Sequence, residues 1–186
     1  MDKEAPYKQN NEEIEQTLAL PSGVDISVRV VRQDDASALQ RVHSRCSKRT
    51  IYLRFFGSLE ELPDRKAKSF ASTDGSNHVG FVALDPDDPD EIIGIVRFDR
   101  ESDSEKAEYA ALVEDRWQDQ GVGTALTRIL IDEARAKGIR FFFALVKGDN
   151  KLMLNVLRHL NLPEQEHQDK EPGVKRIEVE LPSEEG

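Results

Sequence analysis

The stretch Ala107–Lys137, AEYAALVEDRWQDQGVGTALTRILIDEARAK, decides how this chain is read. Ala107 to Val113 has the composition of a short strand, broken by Glu114-Asp115-Arg116. Beyond it Val122, Ala125, Leu126, Ile129, Leu130 and Ala134 recur at the helical period, which predicts a long amphipathic helix with one face on a sheet. The junction between them is Gln118-Asp119-Gln120-Gly121-Val122-Gly123. Glycines there let the backbone approach a ligand closely, and the first helical turn offers unpaired N–H groups with partial positive charge. Strand, glycine turn and helix thus form a place for phosphate, although a G-x-G pair alone also serves simply to start a helix.

Two nucleotide-binding motifs are absent from this junction. No G-x-x-x-x-G-K-[ST] run exists, and G-x-G-x-x-G fails because Leu126 stands where the third glycine belongs. The pattern present is [Gln/Arg]-x-x-Gly-x-[Gly/Ala], carried by Gln118, Gly121 and Gly123 after a strand and at the opening of a helix. It resembles the acetyl-CoA pyrophosphate loop of the GNAT N-acetyltransferase superfamily.

Working outward, 186 residues suit one domain with a sizeable core and a short extension. Charged residues make up 33% and hydrophobic residues 38%, with no apolar run near a membrane span and no secretory signal. The single Cys46 excludes an internal disulfide framework and gives no metal spacing with the four histidines, so the cytoplasm is the expected compartment. A net charge of −10 argues against binding nucleic acid through its phosphates and mildly favours cationic partners such as amines.

Residues 1–23 read as a flexible N-terminal extension with a helical turn around Glu12 to Leu20, closed by Pro21-Ser22-Gly23. The domain is expected over 24–182, with 183–186 as a tail. Ile26 to Val31 alternates as the first strand. Asp34 or Asp35 caps a helix to about Ser47 that carries Ala36, Leu39, Val42, His43 and Cys46 near one face. His43 is open to a catalytic or a structural reading; for Cys46 no activating environment is visible. A second helical region spans Ser47 to Ser72, with Pro63 at the start of its last helix. Its Tyr52-Leu53-Arg54-Phe55-Phe56 run reads as core packing with two exposed arginines nearby. Strands follow at Asn77–Leu84 and Glu91–Phe98, around the turn Asp85-Pro86-Asp87-Asp88-Pro89-Asp90, which reads as a solvated hairpin loop rather than a calcium site. Arg140 to Val146 is an apolar run suited to a central strand parallel to its predecessor. A helix from Asn150 to about Leu160 and a strand from Val174 to Leu181 complete the order, the strand being able to finish the sheet or to pair with a second chain.

This order matches what the resemblance implies across roughly Ile26 to Leu181: an α/β (α+β) GNAT fold with antiparallel N-terminal strands, a splayed parallel pair and helices on both faces. The resemblance implies acetyl-CoA as cofactor. It assigns Ala111, Leu112 and Val113 to backbone contacts with the pantetheine arm. The amides of Gln118, Asp119, Gln120, Gly121, Val122, Gly123 and Thr124, with the Thr124 hydroxyl, are assigned to pyrophosphate. Asn150 matches an asparagine near the cofactor, and equally suits a plain helix cap. The chemistry requires an unprotonated amine, and an alkylammonium has a pKa of about 10.4, so some group must take its proton. Ala107-Glu108 matches the Ala-Glu pair at which bacterial protein lysine acetyltransferases of the superfamily place their general base, which makes Glu108 the catalytic candidate; otherwise it is a solvent-facing strand glutamate. A backbone N–H within Ala111–Val113 is placed to stabilise an oxyanion. The Tyr52–Phe56 run also resembles a segment of those enzymes, in which the first helices shape the acceptor cleft. One position departs from the superfamily pattern: Leu157 stands where many members carry a tyrosine acid. The expectation is an N-acetyltransferase acting on a protein lysine, with no metal, as a monomer or homodimer. A small-amine acetyltransferase and a non-catalytic acyl-CoA-binding module are the alternatives. Relatives fused to nucleotide-sensing or synthetase-like domains exist, and 186 residues leave no room for these, so regulation is expected from partners or from the N-terminal segment.

Overall fold

Strands with apolar residues on both faces need cover on both sides, and the central strands here are of that kind. In the computed structural model, which describes residues 15–147 and 150–183, the elements run β1 (Gln16–Ala19), β2 (Asp25–Val30), α1 (Ala36–Arg45), α2 (Lys48–Phe55), α3 (Asp64–Ala71), β3 (His78–Leu84), β4 (Ile92–Arg100), β5 (Lys106–Val113), α4 (Val122–Ala136), β6 (Phe141–Lys147), α5 (Lys151–His159), β7 (Glu164–Gln168) and β8 (Val174–Glu180). One mixed sheet joins the strands in the order β1-β2-β3-β4-β5-β6-β8-β7. Only the β5–β6 pair is parallel, as its connection through α4 requires.

Helix α4 covers one face, setting Val122, Leu126, Leu130 and Ala134 on Phe81, Val96 and Phe98. Leu126 and Leu130 are fully buried, each contributing roughly 2 kcal/mol of burial. On the other face Ala38, Leu39 and Val42 of α1 and Ala67 and Ala71 of α3 pack on Val82, Leu84, Ile95 and Leu112. No helix of the described residues is long and apolar enough to cross a membrane.

The parallel pair is short. β5 and β6 meet only at Lys106↔Phe141, Ala107↔Phe142 and Glu108↔Phe143. β5 nevertheless stays on β4 as far as Val113, and β6 stays on β8 as far as Lys147. Each strand is held from outside while the two part from each other, and the gap opens immediately after Glu108.

The N-terminal segment differs from the expectation. Residues 1–14 lie outside those described, but Gln16–Ala19 is a strand, not a helical turn, paired with Asp25–Val28. Pro21-Ser22-Gly23 is the turn of this hairpin: Gly23 takes φ +85° and donates to the Leu20 carbonyl at 2.9 Å. Leu20 is buried in the α4-side core, so residues 16–23 belong to the packed unit. β8 lies within the sheet, between β6 and β7. β7, EQEHQ, is exposed at every position and has no apolar alternation to betray it.

Candidate active site

Where β5 and β6 part, a cavity of about 770 Å³ opens, a volume suited to a cofactor-sized ligand. The loop 118–124 lines one end and Glu108 the other, with β5 between them, α2 on one side and α5 on the other. The turn of the β1–β2 hairpin also contributes, through Leu20, Pro21 and Ser22.

The loop is shaped for an anion. Gly121 caps α4 with φ +90°, a left-handed conformation in which a side chain is strained, and a Cβ there would also sit 3.0 Å from Cδ of Pro21. The first helical bond is donated by Ala125 to the Gly121 carbonyl at 2.9 Å, so the N–H groups of Val122, Gly123 and Thr124 precede the helical ladder. A Cβ on Gly123 would stand 3.4 Å from Val156 and 3.6 Å from Val113, which shows how closely α5 and β5 close on this turn. Thr127 donates to the Gly123 carbonyl at 2.6 Å and is bonded at 2.8 Å to the Tyr109 hydroxyl, whose pKa burial raises to about 12 against the opposing effect of that bond.

Side chains brace the loop from behind. Gln118 Nε2 donates to the Val113 carbonyl at 2.9 Å and to Thr50 Oγ1 at 3.1 Å, and Gln120 Nε2 donates to the Arg116 carbonyl at 2.6 Å. The side-chain amides of both glutamines are spent on the protein, and Asp119 is exposed, so the donors this loop leaves free are backbone N–H groups. Asp115 accepts from the Ser47 N–H at 2.8 Å and from Thr50 Oγ1 at 3.1 Å, tying the loop to the start of α2. Glu114, 3% exposed, accepts from Arg45 Nε at 3.0 Å and from Arg116 Nε at 2.6 Å. Arg116 also pairs with Asp85, and Arg45 with Glu91 at 2.6 Å. The acidic turn after β3 thus supplies a buried ion-pair partner to the loop.

Along β5 the geometry sorts the three cofactor candidates. Glu114 N–H donates to Ile93 on β4 at 2.9 Å, so by strand alternation Leu112 also bonds towards β4 while Ala111 and Val113 turn their N–H groups to the gap. The Leu112 side chain is buried against α1 and α3. Asn150 is buried, lines the cavity and caps α5 by accepting from Met153 N–H at 3.1 Å, which leaves its amide nitrogen without a partner among the described residues. Leu157 is buried in the α4-side core.

Glu108 is exposed to the cavity at the last rung of the parallel pair. Opposite it on β4 stands Asp99, which Arg97 grips at 2.6 and 3.0 Å and His78 at 2.8 Å; burial works to raise the Asp99 pKa, but these partners hold it below the ordinary value. Arg54 of α2 lines the same cavity. The sequence pointed to exposed arginines in this segment, whereas Arg54 is partly buried; its spacing from Thr50, which also lines the cavity, is the i, i+4 signal that marks the inward face. The hairpin turn at Pro21 left no such signal.

His43 and Cys46 stand apart. His43 is 2% exposed, does not line the cavity and packs its ring 5.8 Å from Phe55. Burial pushes the Cys46 thiol up to about 12, with Asp115 and Glu114 adding to the shift, so it is a poor nucleophile.

Comparison with known proteins agrees with this fold. Acetyltransferase PA5475 of Pseudomonas aeruginosa is 27% identical over 136 residues, 73% of this chain and 73% of that protein. The GNAT domain of S. lividans PAT superposes with a TM-score of 0.81 at 31% identity, covering 90% of this chain and 97% of that one. A cAMP-binding acyltransferase from Mycobacterium smegmatis shares the fold, with a TM-score of 0.64 and 24% identity over 92% of this chain, which spans about half of that protein at 48%. Residues 45–161, which contain α2, the splayed strands, the loop and α5, match the acetyltransferase (GNAT) family, and the chain belongs to that family.

Proposed function

We propose that the protein transfers an acetyl group to a lysine side chain of a protein, with Glu108 as the general base. One observation carries the reading: a single cavity runs along the gap from the free N–H groups of the loop to the Glu108 carboxylate. Acetyl-CoA, when bound, supplies the activated acyl group. The residues fit it: the N–H groups of Val122, Gly123 and Thr124 would hold the pyrophosphate, and the Ala111 and Val113 backbone and the Asn150 amide would line the pantetheine arm.

Glu108 makes no hydrogen bond or ion pair among the described residues, so its carboxylate is available to take the proton of the incoming ammonium. The Ala111 and Val113 N–H groups point where negative charge develops on the carbonyl oxygen. Leu157 brings no proton to the departing sulfur, and with a thiol pKa of about 8.5 that group needs little help. A protein acceptor is favoured by two large apolar side chains left exposed, Tyr52 at 43% on α2 and Leu145 at 37% in the cavity lining.

The test offers acetyl-CoA with lysine proteins and peptides and with small amines, reading CoA release and product mass. Lysine acetylation is expected, and Glu108→Gln should lower kcat by about 10²- to 10⁴-fold. Turnover confined to small amines would replace the acceptor reading; unchanged turnover in the variant would remove Glu108 as base.

A further inference from the structure

Two guanidinium groups meet at the Phe70 ring, of which Arg54 lines the cavity, and the protein satisfies only the other. Arg97 gives Nε and Nη2 to Asp99 at 3.0 and 2.6 Å and Nη1 to the Ser69 carbonyl at 3.1 Å. Arg54 makes no hydrogen bond or ion pair with any described residue. Its guanidinium carbon lies 4.9 Å from the centre of the Phe55 ring and 5.5 Å from that of Phe70, and those rings are stacked 6.1 Å apart.

Burial lowers the Arg54 pKa and Arg97 adds to the effect, while Glu108 and Asp99 draw it the other way without reaching ion-pair distance. A partly dehydrated guanidinium lacking an acceptor forfeits hydrogen bonds that water would otherwise supply. Packing on two rings holds its plane, and a planar fork of five donors matches a carboxylate in two-point contact. Lys66, 5.6 Å from the Phe55 ring, adds positive charge to the same corner. Glu108 and Arg54 therefore present to the cavity one unpaired anion and one unpaired cation.

We infer that Arg54 is a specificity residue for the acceptor, receiving the carboxylate of an acidic side chain that neighbours the lysine to be acetylated. The inference rests on the lysine reading and narrows it. The acceptor's ammonium faces Glu108 and its carboxylate faces Arg54, so the charge pattern of the substrate is the inverse of the pattern on the wall. An acceptor with an amide at the same position leaves Arg54 dehydrated and unpaired, which is the source of discrimination.

The experiment uses peptide pairs that differ only by Glu against Gln, stepped through the positions flanking one lysine, with kcat/KM read from CoA release. The wild-type protein should prefer Glu by roughly ten-fold at one position, the size of a charge-assisted contact. Arg54→Gln should bring the two peptides to within roughly two-fold, and Arg54→Lys, which keeps the charge and loses the fork, should fall between. The wild-type comparison stands whether or not a variant folds, and thermal melts establish folding of each variant. Equal wild-type rates at every position, or a preference that survives in folded Arg54→Gln, overturns the inference alone. Absence of transfer to any lysine peptide overturns the lysine reading and the inference together.

Discussion

On the donor side of the cavity the glutamines Gln118 and Gln120 are tied to the protein itself, whereas on the acceptor side Glu108 and Arg54 are tied to nothing among the described residues. Gln118, Gln120, Asp115, Glu114 and Arg116 all brace the loop that carries the free N–H groups. That bracing leaves the backbone as the surface offered to a ligand that does not vary. Across the gap the charges of Glu108 and Arg54 are left unpaired among the described residues, and an unpaired charge favours a partner of opposite sign. On the proposed reading, the ion pairs behind the loop serve stability and the unpaired charges of Glu108 and Arg54 serve selectivity.

That contrast can be broken most severely at the loop. Gly121→Glu forces a side chain into a left-handed position against Pro21 and sets a carboxylate among the N–H groups; calorimetric titration should show acetyl-CoA binding to wild type and none to the folded variant. Binding that survives would move the cofactor off this loop.

Next in size is the difference in stability between the walls. Glu114→Gln removes the buried anion that Arg45 and Arg116 share, leaving them Glu91 and Asp85, and should cost about 2 kcal/mol in urea denaturation, whereas Arg54→Gln breaks no ion pair and should cost no more than about 1 kcal/mol. Similar losses for the two would erase the distinction.

The smallest expected effect lies behind the acceptor wall. Neither ring nitrogen of His43 has a partner among the described residues, and burial lowers its pKa. Above about pH 7.5 the ring is neutral both folded and unfolded and gives no pH dependence. As the pH falls through about 6.5, the unfolded chain takes up a proton that the buried ring resists, so folded stability drops. Denaturation at pH 7.5 and 5.5 should show a steeper acid loss for wild type than for His43→Leu, which should also gain about 1 kcal/mol at neutral pH by removing unsatisfied nitrogens. Parallel acid losses would mean that His43 finds a partner when protonated.

Much of this was legible in the residues, and the exceptions have a common cause. The alternation of Ile26–Val31, the period of Val122–Ala134 and the apolar run Arg140–Val146 each record the face that an element buries, so their placement followed from pattern alone. β1 and β7 carry no such record: QTLA and EQEHQ are largely exposed edge strands, joined to the sheet by backbone bonds that leave no mark on side-chain choice. At the site, Gly121 and Gly123 were visible as a glycine pair between strand and helix, and Glu108 through the resemblance of Ala107-Glu108 to the acetyltransferase pair on the strand before the loop. Arg54 was read as a surface residue, since an arginine on a short aromatic-rich helix is ordinarily solvated.

The sequence by itself determined the elements that bury a face and the strand–glycine turn–helix unit with a carboxylate close ahead of it, because helical and strand periods and glycine geometry are local properties. Only the tertiary structure decided that β5 and β6 separate at Glu108, that the β1–β2 turn closes over Gly121, that Gln118 serves the protein instead of facing a ligand, and that Arg54 is left without a partner. Each of these depends on which distant segments meet, and a gap between strands or a missing ion pair exists only once the chain has been brought together.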